Sequence, residues 1–158
     1  MSQDILLLTA LVAFILMGSA MCSGIEAALL AVNPLRVHEL ARRKPKVLGA
    51  RRLEKLRHRI GRTLTVVTIA NNSFNIFGSL MVGSYATYIF QDRIGNVNPI
   101  FFVGLTILVL LLGEIVPKAL GTRLALQISL TSAPVLDFLS IVMRPLLIVL
   151  ERLLPIIT

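Results

Sequence analysis

The chain has 158 residues, 56% of them hydrophobic and 15% charged; with a mean hydropathy of +0.84 it departs far from a soluble globular domain and belongs in a bilayer. Its length suits one domain with no room for a separate catalytic module, and its single cysteine, Cys22, set in an apolar run, excludes a disulfide framework and a multi-cysteine metal site. The net charge of +8 is not interleaved with aromatics as on a nucleic-acid surface: eleven of the sixteen Lys and Arg fall between Arg36 and Arg62, and there is no Trp.

The first apolar run, Ile5 to Val32, is long enough to span the hydrocarbon with some tilt, and it stops before Asn33 and Pro34. Met1 to Asp4 carry no Lys or Arg, which does not fit the basic leading region of a cleaved signal peptide. Residues 34–62 read as two short helices divided near Pro45, since Leu53, Leu56 and Ile60 recur at three and four residues with Arg and Lys around the rest of the circumference. This basic hairpin fixes orientation: the amino terminus is expected outside, and the loop 36–62 in the cytoplasm against anionic lipid headgroups. The second run, Leu64 to Phe90, returns outward to a polar loop, Gln91 to Pro99, and the third, Ile100 to Leu120, comes back and is followed by Arg123. The last segment, Ala125 to Ile157, is apolar but interrupted by Asp137, Arg144, Pro145, Glu151 and Arg152, with Pro134 and Pro155 bracketing it. Charges at a helix centre are costly, so a bent helix along the cytoplasmic interface is expected, a fourth span being the alternative. The expected fold class is therefore all-α integral membrane: three transmembrane helices (5–32, 64–90, 100–120), an intracellular short-helix pair and a C-terminal juxtamembrane belt helix. No internal repeat is visible in it.

Polar side chains inside spans are costly and are functional hypotheses by default. Ser19, Ser23 and Glu26 follow spacings of four and three, which puts them on one face of the first helix. Thr68, Asn72, Asn75 and Ser79 do the same on the second, flanked by Asn71 and Ser73. In the third, Gly113-Glu114-Ile115-Val116-Pro117-Lys118 carries a proline without an N–H, so the Gly113 carbonyl loses its helical partner. Broken helices that expose such a carbonyl are one way transporters coordinate cations. Hydroxyl, amide, carbonyl and carboxylate oxygens are hard donors, suited to Mg²⁺, Ca²⁺ or Na⁺ rather than zinc or copper. The plainer reading of the same residues is helix packing: Ser and Asn serve as interhelical contacts, while Glu26 and Lys118 suit snorkelling to the interface. No paired carboxylates, activated nucleophile or cofactor loop points to an enzyme, and His38 and His58 fall in the basic connector as solvated groups.

Three motifs carry a resemblance. Cys-Ser-Gly-Ile-Glu-Ala-Ala-Leu at 22–29, Ala-Asn-Asn-Ser-Phe-Asn-Ile at 70–76 and Gly-Glu-Ile-Val-Pro-Lys at 113–118 together resemble, in order and over essentially the whole chain, the transmembrane domain of the CorC/cyclin M (CNNM) family of magnesium transporters. The resemblance implies a homodimer that exports Mg²⁺ in exchange for Na⁺, with cytosolic CBS modules expected in the full-length protein and no nucleotide site within these residues. Carried over by position, Ser23, Asn71, Asn72, Asn75, Gly113 and Glu114 match the ion pathway. Ser19, Glu26, Thr68, Ser73 and Ser79 are further cavity groups, and Pro117 with Lys118 forms the helix break. Ile25, Ala70 and Ala119 depart from the family's usual small polar residue, glycine and threonine. A magnesium-selective channel and a membrane anchor or sensor without transport are the competing functions. Gly78, Gly83 and Ser84 are the small residues expected to let the second helix approach its copy in a dimer.

Overall fold

The structure, a computed structural model, describes residues 2–43, 47, 49–89, 107 and 109–153, and no strand occurs among the described residues. The helices are α1 (Ser2–Ala31), α2 (Pro34–Arg43), α3 (Ala50–His58), α4 (Ile60–Ile89), a π turn (Leu111–Ile115) running into α5 (Val116–Arg123), α6 (Ala125–Val142) and α7 (Arg144–Leu153). The expected outer loop 91–99, the opening of the third run at 100–106, and Pro45 lie outside the described residues.

Two helices among the described residues are long and apolar enough to cross a bilayer, Gln3–Ala31 and Ala125–Val142. α1 is apolar outside the face of Ser19, Ser23 and Glu26, with Leu6, Phe14, Met17, Met21 and Leu30 all exposed on a single chain, as a helix solvated by lipid requires. α4 equals it in length at 30 residues, and Asn71, Asn72 and Asn75 within it lower its apolarity. The two run antiparallel along their whole length. Thr68 meets Glu26, Asn71 meets Ser19, and the Phe14 and Phe74 rings sit edge to face with centroids 6.3 Å apart. The stretch from the π turn through α5 runs parallel to α1 on another side, Gly113 beside Leu16 and Gly121 against Gly24 and Ala27. A Cβ at residue 121 would collide with the Gly24 carbonyl oxygen, so these helices touch backbone to backbone.

The buried core sits at the hairpin end of α1, where Leu29, Val32, Val37, Leu53, Leu56 and Leu136 cluster. Pro34 opens α2 where its missing N–H costs nothing, and the Asn33 side chain accepts the Leu35 N–H at 2.9 Å. His38 Nδ1 lies 2.6 Å from Glu54 Oε1 and ties α2 to α3. From α3, Arg57 donates to the Leu29 carbonyl at 2.5 Å, placing a cation on the exposed carbonyls at the end of α1. α6 packs onto this end with Ser129, Ser132, Ala133 and Leu136 inward.

Three expectations change in detail. The single bent helix over 125–157 divides at Met143 into α6 and α7, because Pro145 cannot donate to the Ile141 carbonyl and disfavours helical geometry in the residue before it. Pro134 does not bracket the segment but lies inside α6. It denies the Leu130 carbonyl its helical partner, and Gly49, with φ of 85°, passes directly against that oxygen where any side chain would collide. Gly78 is not a free dimer surface either: it is buried, and a Cβ there would run into Ile15 of α1.

The backbone contact at Gly121 predicts that Gly121→Ala lowers stability by about 1–3 kcal/mol through overpacking. Gly83→Ala, where a Cβ meets nothing within 4 Å, is expected to be neutral or stabilising by up to about 1 kcal/mol. Thermal unfolding of both variants in detergent checks the pair, and equal midpoints would show that the crossing tolerates a side chain.

Candidate ion site

The polar groups named from the sequence fall into three sets. The first lies in the seam between α1 and α4: the Ser19 hydroxyl donates to Asn71 Oδ1 at 3.0 Å and the Thr68 hydroxyl to Glu26 Oε1 at 3.2 Å. The second lies on the third run, where Lys118 Nζ donates to Glu114 Oε1 at 2.6 Å, one turn apart and both about half exposed. The third is the outer side of α4, where Asn72, Asn75 and Ser79 are exposed. There Ser79 turns back to the Asn75 carbonyl at 2.6 Å, and nearby Ser73 turns back to Ile69 at 2.8 Å.

The spacing puts Thr68, Asn72, Asn75 and Ser79 on one face of α4, without saying which face would meet α1. Of that face only Thr68 reaches it, together with the flanking Asn71. At 100° per residue, Val67, Ala70, Phe74 and Gly78 form a stripe of their own, and this stripe packs on α1 through Phe74 and Gly78. Asn71 lies at its edge, within reach of Ser19, while Asn72, Asn75 and Ser79 stay exposed. Apolar closeness decided the seam, and polarity followed.

Ser23 stands apart within this set, although Ser129 on α6 is likewise fully buried with no partner for its Oγ. The Ser23 side chain is fully buried and its Oγ has no hydrogen-bond partner. Other hydroxyls on these helices fold back to the carbonyl one turn earlier, as Thr9 does to Ile5 at 2.8 Å, Thr65 to Gly61 at 3.0 Å and Thr87 to Gly83 at 2.8 Å. Leaving a buried hydroxyl unsatisfied costs about 1–3 kcal/mol. Ser23 precedes Gly24, which lies under the Pro117 carbonyl, so this hydroxyl sits level with the break in the third run.

That break is where backbone chemistry puts it. Pro117 offers no N–H to the Gly113 carbonyl, and the helix absorbs the irregularity as the π turn, in which the Val116 N–H reaches back to the Leu111 carbonyl. Gly113 is buried and a Cβ there would meet Leu16 at 3.5 Å. Among the described residues no group of three or more His, Cys, Asp or Glu could hold a metal; the available donors are hydroxyl, amide, carbonyl and single carboxylate oxygens. Gly24 and Gly121, which set this geometry, drew no role from the sequence, although two glycines in apolar helices are a signal for close helix approach.

Apolar helices of bilayer length, with hydroxyl, amide and carboxylate groups packed between them, define an all-α membrane protein. The cyclin M transmembrane N-terminal domain matches residues 10–158, and the chain belongs to that CNNM family. It is 36% identical over 148 residues to the UPF0053 protein sll1254 of Synechocystis sp., covering 92% of this chain and 41% of that protein. It is also 29% identical over 136 residues to the UPF0053 inner membrane protein YfjD of Escherichia coli, covering 85% of this chain and 30% of that one. A UPF0053 protein of Haemophilus influenzae is 33% identical over 129 residues. The chain thus spans less than half the length of each of these relatives, at 41%, 30% and 29%.

The seam predicts that Ser19→Ala and Asn71→Ala are energetically coupled by about 0.6 kcal/mol, the average for hydrogen bonds between membrane helices. Ser19→Ala and Asn72→Ala are expected to be additive. A double-mutant cycle on unfolding in mixed micelles measures both, and coupling to Asn72 instead of Asn71 would reassign the seam.

Proposed function

We propose that this chain is the membrane domain of a divalent-cation transporter that exports Mg²⁺ by alternating access, with Na⁺ as the coupling ion. The observation that carries the reading is the Ser23 hydroxyl, buried without a partner beside a proline-broken helix. A buried donor oxygen with no protein partner, level with a helix break, is the kind of group a site for an exchanging ion draws on.

Mg²⁺ takes oxygen ligands at about 2.0–2.1 Å in near-octahedral geometry and sheds water reluctantly, so it keeps several waters and needs few protein oxygens. Ser23 Oγ and the Gly113 carbonyl supply neutral donors. Asn71 joins them by giving up Ser19, and Glu114 supplies charge by giving up Lys118. Asn72 and Asn75 serve from the outer side of α4. Amides there are costly against lipid, which favours a second copy of the chain, or the aqueous cavity formed with it, as what covers them.

The expected three spans draw support from packing among the described residues: α4 lies antiparallel to α1, and residues 111–123 lie parallel to its second half. α6 meets the hairpin end of α1, and its Asp137 lies 3.8 Å from Arg52 of α3, which favours the cytoplasmic interface over a fourth span. The basic hairpin then faces the cytoplasm and the amino terminus faces outside. The name of the Escherichia coli relative supports an inner-membrane location, and CBS modules are expected in the full-length protein.

Purified chain in liposomes with an internal Mg²⁺ indicator tests the function. Saturable flux that depends on an opposing Na⁺ gradient is the expected result; flux that neither saturates nor needs Na⁺ would identify a channel, and no flux an anchor or sensor. Ser23→Ala is expected to weaken Mg²⁺ affinity at least tenfold, on the scale of disturbed metal sites, while leaving the thermal midpoint equal or higher because an unsatisfied hydroxyl is removed. Pro117→Ala restores the helical N–H and is expected to stabilise that helix by up to about 3 kcal/mol while impairing flux. Normal flux in both variants would reduce Ser23 and Pro117 to packing.

A further inference from the structure

Where α3 ends, α4 begins and α6 turns into α7, the chain encloses a cavity of about 520 Å³. Lys55, Arg59, Arg62 and Arg144 line it together with Asp137, and of these Arg62 already has an interaction of its own. The four cations come from two segments more than eighty residues apart in sequence, so their convergence is a product of the tertiary fold and not of the basic block alone. Asp137 is itself partly engaged by Arg52, whose Nε lies 3.8 Å away. Like charges gathered in one concavity repel, and the arrangement is stabilised by an anion whose oxygens accept several N–H donors at once, which is the chemistry of a phosphate.

The rim of the cavity selects the source of that phosphate. Ile141 lines the wall and is 65% exposed, and beside it on α6 Phe138 is 67% and Val142 57% exposed. These three share one face of α6 at spacings of three and four. A cationic cup continuous with a bare apolar strip matches a molecule with a phosphate head and hydrocarbon tails. We propose that this cavity is a binding site for the phosphate headgroup of an anionic phospholipid, whose acyl chains run along Phe138, Ile141 and Val142. The lipid pins the corner between α6 and α7 to the hairpin, and the site stands independently of ion movement.

Native mass spectrometry of the purified chain, released from detergent with phosphatidylglycerol or phosphatidylcholine of matched acyl chains, tests this. Phosphatidylglycerol is expected to be retained at least tenfold better. Arg59→Gln with Arg144→Gln is expected to cut its retention at least tenfold, since each cation near an anionic headgroup contributes about fivefold, and to leave phosphatidylcholine unaffected. Arg42→Gln with Arg51→Gln, exposed hairpin cations outside the cavity, is expected to change nothing. Should the first pair fail to fold, Arg144→Gln alone, at an exposed helix start, gives the same test with about a fivefold loss. Equal retention of the two lipids, or equal loss from the hairpin pair, would overturn the site in favour of diffuse basic adsorption. Displacement of phosphatidylglycerol by millimolar inorganic phosphate would overturn the lipid and identify a soluble phosphate as the occupant.

Discussion

The rest of the helix arrangement depends on one contact without side chains, Gly121 against Gly24. Between apolar helices in lipid there is little hydrophobic drive to associate, and close van der Waals packing through small residues takes its place. With no Cβ at either position the two backbones meet, and the Gly24 carbonyl occupies the space a side chain at 121 would need. That contact sets the height of α5 on α1. The Pro117 carbonyl comes to lie over Gly24, the π turn falls level with Leu16 to Ser23, and the Ser23 hydroxyl is shut off from solvent. The buried Ser23 hydroxyl thus lies at the level of a crossing between glycines.

Two prolines pose the same chemical problem and receive different answers. Pro134 strands the Leu130 carbonyl, and the fold closes the matter locally by passing Gly49 against that oxygen. Pro117 strands the Gly113 carbonyl, and the helix widens into a π turn beside a carboxylate and an unbonded hydroxyl. The first answer builds a joint between α6 and the hairpin. The second concentrates irregular backbone and hard oxygen donors in one place, which in a membrane is tolerated where the backbone is buried in protein or lines a cavity.

Much of this was legible in the amino-acid sequence. The length of the first apolar run places α1, Leu53 and Leu56 are buried on the hairpin as their spacing requires, and Pro117 marks the break because a missing N–H acts in any context. What sequence patterning missed was which stripe of α4 would meet α1. In water the polar face of a helix is the outer one, but among membrane helices the seam is chosen by closeness, and Phe74 and Gly78 outweighed the more conspicuous Asn72 and Asn75. The division at Met143 had a readable signal in Pro145, which weighs on the turn before it. The role of Gly24 and Gly121 could not be read without knowing that they face one another.

Charge bears on the cation reading proposed above. Glu26 and Glu114 carry two formal negative charges, and Lys118, bonded to Glu114 and also felt by Glu26, carries one positive. These three groups therefore hold a net −1, and the Thr68 hydroxyl on Glu26 eases that charge without cancelling it. Glu114 holds Lys118 at 2.6 Å as an ion pair one turn apart, and on the proposed reading another cation would compete for that carboxylate. An anion is repelled by this balance and a neutral solute gains nothing from it. On the proposed reading, a divalent cation would reverse the sign of the deficit and leave the Lys118 ammonium free to turn toward the interface.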